Sequence, residues 1–503
     1  MNLTEHFAPF RQGIVGQDHH YPEAPQGEVL YADWTASGRL YRPVEDYISD
    51  YLGPYVANTH TETTMTGTTM TNAYHDAQHI IKAHVNAGPN DVLIAAGSGM
   101  TLVINKFQRL LGLRVPEKWR DRIELAETER PLVLVTHMEH HSNQTTWHEC
   151  DVTLEIVQSD ASGRPDLNHL RQLLEQYKDR ALKIGSFTAC SNVTGIKTPY
   201  HEMAQIMHEH GGLCFVDFAC SAPYVDMDMH PANPLQKLDA IFMSPHKFLG
   251  GPGSSGVLIF DKDLYTCKSP DQPGGGTVSW TNPWGKHRFF DDIEAREDGG
   301  TPGFLQTIKA ALAIKVKDAM GTAQIWEREQ ALTKILMEGL DQIKGVNMLE
   351  TEQRDRLCIV SFYVLGIHHN LIVKLLNDRF GIQTRGGCSC AGTYGHILLQ
   401  VDQLTSDEIT KKIDQGDLTD KPGWVRVSLH PTTTDAEAKR IVEAVRDVVA
   451  NAEAWSKDYN FDPRSGEFRP RNAQPALKSL AEFNPIPAAP KRGILQLLKL
   501  AKG

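Results

Sequence analysis

Short apolar runs separated by helical patterns limit what this chain can fold into. The runs are Val92-Leu93-Ile94-Ala95-Ala96, Leu132-Val133-Leu134-Val135, Ile184-Gly185-Ser186-Phe187, Leu213-Cys214-Phe215-Val216, Ala240-Ile241-Phe242-Met243 and Val257-Leu258-Ile259-Phe260. Helical patterns such as Leu167–Tyr177 and His201–His210 lie between several of them. Strand and helix in alternation imply an α/β fold with a largely parallel sheet, and such sheets carry their sites at the C-terminal ends of the strands.

Polar clusters stand where that rule puts a site. Glu139-His140-His141-Ser142-Asn143 follows one run, Ser191-Asn192-Val193-Thr194-Gly195 another, Asp217 a third, and Ser244-Pro245-His246-Lys247 a fourth. One cluster is chance; four on one sheet edge make a site. Taken alone, Lys247 at a strand end is an ordinary surface lysine. A lysine partly stripped of water there has a lowered pKa, and its neutral amine can form a Schiff base with a carbonyl. Pyridoxal phosphate, the usual carbonyl partner, needs such a lysine, an acid for its pyridine nitrogen and donors for its phosphate. Gly97-Ser98-Gly99, between the first run and a helix starting at Met100, has the form of an anion site built from backbone N–H groups; on its own it reads more readily as a plain turn.

The length of 503 residues suggests two to three domains. We divide the chain into an N-terminal arm (1–30), a large domain (31–320), a smaller α+β domain (321–454) and a tail (455–503). A threonine-rich loop is expected over 58–69 and a helix from about Thr71 to Val85. Helices over 307–320 and 324–343 lead into the smaller domain, which has strands at 357–362 and 425–430, helices at 368–379 and 434–450, and a loop over 383–392. The tail is proline-rich and basic, with nine Lys/Arg against four Asp/Glu. Its end, Gly493–Leu500, has the pattern of a short amphipathic helix, for a partner or an anionic surface, or for the protein's own body.

A net charge of −11 argues against nucleic acid as the main partner. No apolar run approaches the ~20 residues of a membrane span, and Met1-Asn2-Leu3-Thr4-Glu5-His6 lacks the features of a signal peptide. Eight cysteines, several in apolar strands, are too sparse for a disulfide scaffold and fit a reducing, cytoplasmic compartment.

The clusters in their order, with Gly299-Gly300-Thr301-Pro302, Arg385-Gly386-Gly387-Cys388-Ser389-Cys390 and Arg426-Val427-Ser428-Leu429, resemble the class V aminotransferase family, in its cysteine desulfurase and selenocysteine lyase branch. The resemblance runs from about Tyr31 to Ala450. It implies the pyridoxal phosphate fold type I: a large, mostly parallel-sheet domain and a smaller α+β domain, here with an additional tail. It implies that Lys247 holds the cofactor and moves protons at the substrate α-carbon, and that Asp217 pairs with the pyridine nitrogen. His140 stacks on the ring and acts as an acid/base. Asn192 bonds the ring 3-oxygen. Ser244, His246 and Gly97-Ser98-Gly99 hold the phosphate. Thr301 reaches the phosphate of a partner subunit in a homodimer. Arg426 clamps the substrate carboxylate with help from Arg385, as a guanidinium fork suits a carboxylate. No metal is implied.

Cys390, five residues after Arg385, is the implied nucleophile; a thiolate near cations is activated. It takes sulfur from L-cysteine as a persulfide and leaves alanine, with a sulfur-acceptor protein as an onward partner. Cys388 stays open as nucleophile, resolving thiol or half of a Cys-x-Cys pair. Two positions depart from the family pattern: Cys220 where a glutamine bonds the ring oxygen, and Gly99 where a threonine binds phosphate. The rivals are another class V activity (a transaminase, an epimerase or a lyase on a different amino acid), and a sulfur-transfer scaffold that keeps the cofactor without turnover.

Overall fold

The structure is a computed structural model that describes residues 3–59, 61–123, 125–472 and 479–486. The apolar runs become strands covered on both faces. In Leu132–Thr136, Leu132 and Leu134 join one core and Val133 and Val135 another, all fully buried. A pleated strand sends successive side chains to opposite faces, so an unbroken apolar run marks a sheet sandwiched between helices.

The large sheet has seven strands. They are β1 (Asp91–Ala96), β2 (Leu132–Thr136), β3 (Thr153–Val157), β4 (Lys183–Thr188), β5 (Leu213–Asp217), β6 (Ala240–Met243) and β7 (Gly256–Asp261). Their spatial order is β1-β7-β6-β5-β4-β2-β3. Only β7 runs against its neighbours; the other pairings are parallel. The C-terminal ends of β2, β4, β5 and β6 therefore share one edge. The helices used below are α1 (Leu3–Gln12), α2 (Met65–His84), α3 (Met100–Leu110), α4 (Phe304–Met320), α5 (Thr322–Asp341), α6 (His369–Phe380), α7 (Gly392–Leu398), α8 (Gln403–Asp414) and α9 (Asp435–Ser456). Met70 and Ile81 of α2 and Ile308 and Ile314 of α4 pack on one sheet face. Val103, Ile104 and Phe107 of α3 pack on the other, where Phe107 meets Phe215, Phe242 and Phe260.

A four-stranded antiparallel sheet forms the second core. It orders β8 (Val346–Met348), β9 (Ile359–Val364), β11 (Trp424–Ser428) and β10 (Arg385–Gly387). Leu336 of α5, Leu375 of α6 and Ile441 and Val445 of α9 fill it. The chain's beginning closes this unit: Leu30–Tyr31 pairs with Ile382–Gln383, and the Trp34 N–H donates to the Ser428 carbonyl at 3.3 Å.

Several local expectations change. The stretch read as an arm holds α1, with Phe7 buried. Helix α2 begins at Met65, inside the expected loop, because the Thr64 hydroxyl caps it by accepting from the Gly67 N–H at 3.2 Å; threonine-rich sequence hides helical period but caps helices well. Strand β3 had no reading, since its residues before Val157 are only half-buried at the sheet edge. The expected loop over 383–392 contains β10. Helix α9 runs six residues past the expected 450. Past it the tail forms a hairpin, β12 (Tyr459–Asp462) with β13 (Glu467–Pro470), whose Phe461 and Phe468 sit beside His368. The expected amphipathic helix at Gly493–Leu500 lies outside the described residues.

Candidate active site

Strand β6 ends at Met243, and Ser244 leads into a single turn, Pro245–Lys247, that places Lys247 at a cavity of about 290 Å³. Desolvation by burial lowers the Lys247 pKa, against Cys220 and Asp217, which raise it. Asp217 is the last residue of β5 and lines the same cavity. Burial pushes its carboxyl up to about 6, although the Ala219 N–H, donating at 2.8 Å, pulls it down.

The turn between β1 and α3 closes one end of the cavity. Gly97 has φ +58°, which side-chain-bearing residues rarely adopt. The Met100 N–H at the start of α3 donates to the Ser244 hydroxyl at 2.9 Å, and the Thr101 and Ser142 hydroxyls lie 2.6 Å apart. His246 lines the same end, and burial lowers its pKa to about 4, so its ring is neutral at pH 7. A Cβ on Gly99 would stand 3.2 Å from the Ser244 hydroxyl, and one on Gly256 would strike the Gly99 carbonyl at 2.4 Å.

His140 reaches the cavity because Glu139 fixes its loop. Fully buried, Glu139 accepts from the Thr136 and Thr188 N–H groups at 3.1 and 2.9 Å and from the Asn143 amide at 2.8 Å. Burial pushes the Glu139 carboxyl up to about 7 and lowers His140 to about 3. His140 is thus a neutral ring whose Nδ1 accepts from the Ser142 N–H at 3.1 Å.

Arg385 and Arg426, opposite one another on β10 and β11, line the facing wall. Arg426, 2 % exposed, donates to the Asn192 carbonyl at 3.0 Å and to Asp33 at 2.7 Å; Arg385 donates to the other Asp33 oxygen at 3.0 Å. Asn192 donates to the Ser389 carbonyl at 2.7 Å.

Ser389 and Cys390 both have positive φ, +51° and +57°. Left-handed backbone costs a non-glycine residue roughly 1–2 kcal/mol. Hydrogen bonds hold the loop there: the His141 N–H to the Cys390 carbonyl at 2.7 Å, the Gly392 N–H to His141 Nε2 at 2.8 Å, and the Trp424 indole to the Ser389 hydroxyl at 3.2 Å. Cys390 is exposed at the cavity, whereas Cys388 packs with the apolar cluster around Trp424 and Tyr394. The loop therefore offers Cys390, not Cys388, to the cavity.

A family profile, that of the class-V aminotransferases, matches residues 30–441. The chain belongs to the class-V aminotransferase family. Among curated relatives, a probable cysteine desulfurase of Staphylococcus aureus (strain Mu50) is 26% identical over 367 residues, 72% of this chain and 83% of that protein. One of Halalkalibacterium halodurans is 26% identical over 72% of this chain and 84% of that protein. The cysteine desulfurase of Thermococcus onnurineus NA1, solved in its apo form, superposes with a TM-score of 0.69 at 22% identity, over 88% of this chain and 98% of that one. The Escherichia coli cysteine desulfurase CsdA gives 0.68 at 21% identity, over the same shares. The large, mostly parallel sheet with a smaller α+β unit is the expected fold type I arrangement.

For this class-V aminotransferase the cavity fits pyridoxal phosphate. A lysine with lowered pKa, a carboxylate and a helix N-terminus with Ser244 and His246 face one space, and the buried Asn192 Oδ1 and Arg426 Nε have no hydrogen-bond partner among the described residues. Gly97 and Thr301, both exposed, do not line the cavity; the other expected site residues do. At the first departure from the family pattern, the Cys220 thiol donates to the Cys190 carbonyl at 3.1 Å. At the second, Thr101 brings a hydroxyl where Gly99 has none. The roles of Asp33 and Glu139 escaped sequence reasoning: the two arginines that Asp33 serves lie more than 350 positions away, whereas Glu139, inside a polar cluster, gave a signal.

Proposed function

We propose that this chain is a pyridoxal phosphate-dependent cysteine desulfurase that converts L-cysteine to L-alanine and leaves the sulfur as a persulfide on Cys390. The observation that carries the reading is Cys390, held at the mouth of the cavity that Lys247, His140 and Arg426 line. The names of the curated relatives support it.

When bound, pyridoxal phosphate supplies an aldehyde that captures amines and a ring that draws electrons from the substrate α-carbon. Lys247 would hold it, Asp217 would serve its ring nitrogen, Asn192 its 3-oxygen, and Ser244, His246 and the turn Gly97-Ser98-Gly99 its phosphate. Arg426, steadied by Asp33, binds the substrate carboxylate with Arg385 beside it, and this orients the α-carbon toward Lys247. The Lys247 amine, its pKa lowered by burial, takes the α-proton and returns it. His140, which would lie against the ring, moves protons at the substrate's sulfur and amino groups. Cys390 Sγ, as thiolate, attacks the substrate sulfur: the S–S bond forms as the C–S bond breaks, carbon keeps the electron pair, and protonation of that carbon gives the methyl group of alanine.

A sulfur-acceptor protein then takes the sulfur from the exposed loop. A second copy of the chain completes the phosphate site through Thr301, which is exposed and outside its own chain's cavity. All eight cysteines are free, in keeping with a reducing, cytoplasmic setting. No helix among the described residues is long and apolar enough to cross a membrane.

The test is incubation with L-cysteine. With a dithiol reductant present to release the persulfide sulfur as sulfide, the parent yields alanine and sulfide, Lys247→Ala neither, and Cys390→Ala no sulfide. A parent that retains the cofactor yet makes no alanine overturns the reading.

A further inference from the structure

The loop that carries Cys390 is held in left-handed backbone by groups outside itself. The short segment after Glu139 supplies most of them. The His141 N–H donates to the Cys390 carbonyl at 2.7 Å, and its ring Nε2 lies 2.8 Å from the Gly392 N–H. Gln144 adds a side-chain bond, accepting from the Thr393 hydroxyl at 2.8 Å. Gly392 permits the approach, since a Cβ there would stand 3.0 Å from His141 Nε2. The His141 backbone is itself tied down, its carbonyl accepting from the Thr145 hydroxyl at 2.7 Å. His141 thus bonds the residues on either side of Ala391, the first residue after the nucleophile, while its neighbour His140 faces the cavity.

We propose that His141 is a positioning residue, a latch whose neutral ring accepts the Gly392 N–H and holds the Cys390 loop at the cavity mouth. The inference rests on Cys390 as the sulfur-accepting thiol. A ring nitrogen accepts only while unprotonated; a protonated His141 would turn an N–H toward the Gly392 N–H and undo the bond. The ionisable groups around the ring are His140, at 6.3 Å between centroids, and Lys421 in the chain before β11; Cys390 is tied to it through the backbone. Burial, then Lys421, lowers the His141 pKa, so the latch is shut at neutral pH and opens below the ordinary histidine range. Open and shut states of one loop match two tasks: taking sulfur inside the cavity and handing it on outside.

The test is hydrogen exchange of the peptide spanning residues 386–398 in the full-length, as-purified protein, at about pH 7.5 and about pH 5 and corrected for intrinsic rates. In the parent, the Gly392 amide is protected at the higher pH and loses protection at the lower. His141→Ala exchanges roughly tenfold faster than the parent at the higher pH and like the parent at the lower. His141→Gln keeps an acceptor at the Nε2 position that does not titrate, so its protection holds at both pH values. With L-cysteine, His141→Ala lowers kcat with KM little changed, and His141→Gln restores kcat. Parent-like exchange in His141→Ala at the higher pH, or a pH response in His141→Gln matching the parent's, overturns the latch. Should His141→Ala fail to fold, the parent's pH response set against His141→Gln decides alone. If the exchange results hold but the parent makes no alanine, the latch stands and the desulfurase reading falls.

Discussion

Arg385 and Arg426 face each other across neighbouring antiparallel strands, and a single carboxylate, Asp33, accepts an N–H from each. Two like charges side by side repel; Asp33 removes that repulsion and fixes the fork of Arg426. Asp33→Asn leaves the buried Arg426 without its counter-charge, and breaking such a pair costs about 3 kcal/mol. The expected result is a lower urea midpoint with an unchanged m-value, together with a raised KM for L-cysteine. Unchanged stability would mean that Asp33 does not hold Arg426.

Asp217 predicts an opposed pair of effects. Its carboxyl is pushed up to about 6, above the usual ~3.9 of an aspartate. A raised acid pKa means that the folded, cofactor-free chain binds that proton more tightly than the unfolded chain does. The penalty of about 3 kcal/mol is fully present above pH 6 and disappears as pH falls toward the unfolded value. Asp217→Asn should therefore raise the melting temperature of the stripped protein at neutral pH and abolish cofactor retention. Thermal melts and absorbance of the stripped and reloaded proteins check both halves.

Gly256→Ala tests the phosphate turn without substituting an expected ligand. The added methyl would strike the Gly99 backbone carbonyl at 2.4 Å, an atom that moves only if the turn moves. We expect cofactor affinity to fall by roughly tenfold or more, the scale of one misplaced hydrogen bond to a charged group. Fluorescence titration with pyridoxal phosphate measures it, and near-parent affinity would place the phosphate elsewhere.

The tail hairpin predicts a stability effect far from the cavity. Phe468 lies 4.8 Å from Phe461 and 5.5 Å from His368, centroid to centroid. Phe468→Ala should cost about 1–2 kcal/mol, below a core phenylalanine because the ring is only half-buried. Denaturant unfolding reads the loss, and L-cysteine turnover per folded molecule stays at the parent value.

The strands and site clusters were legible because each needs a local pattern: an apolar run, then a polar residue where the sheet ends. Lys247 and Asp217 are of this kind. Asp33 was not, since nothing beside it in sequence marks a carboxylate that serves two arginines on another unit. Cys388 against Cys390 stayed open in sequence because nothing local separates the two; in the structure Cys390 lines the cavity and Cys388 packs with the cluster around Trp424 and Tyr394. Helix α1 and strand β3 were missed where burial is slight and the apolar pattern correspondingly thin.

The contact between Asp33 and Arg426 spans 393 positions of chain. A ribosome adds some 5–20 residues each second, so Asp33 emerges many seconds before its partner exists. The nascent chain can assemble the large sheet, with Lys247 in place, while the opposite wall is still unmade. Any product truncated before Arg426 would carry the amine without the fork that orients a substrate. The order of synthesis thus puts the reactive amine first and the group that disciplines it last.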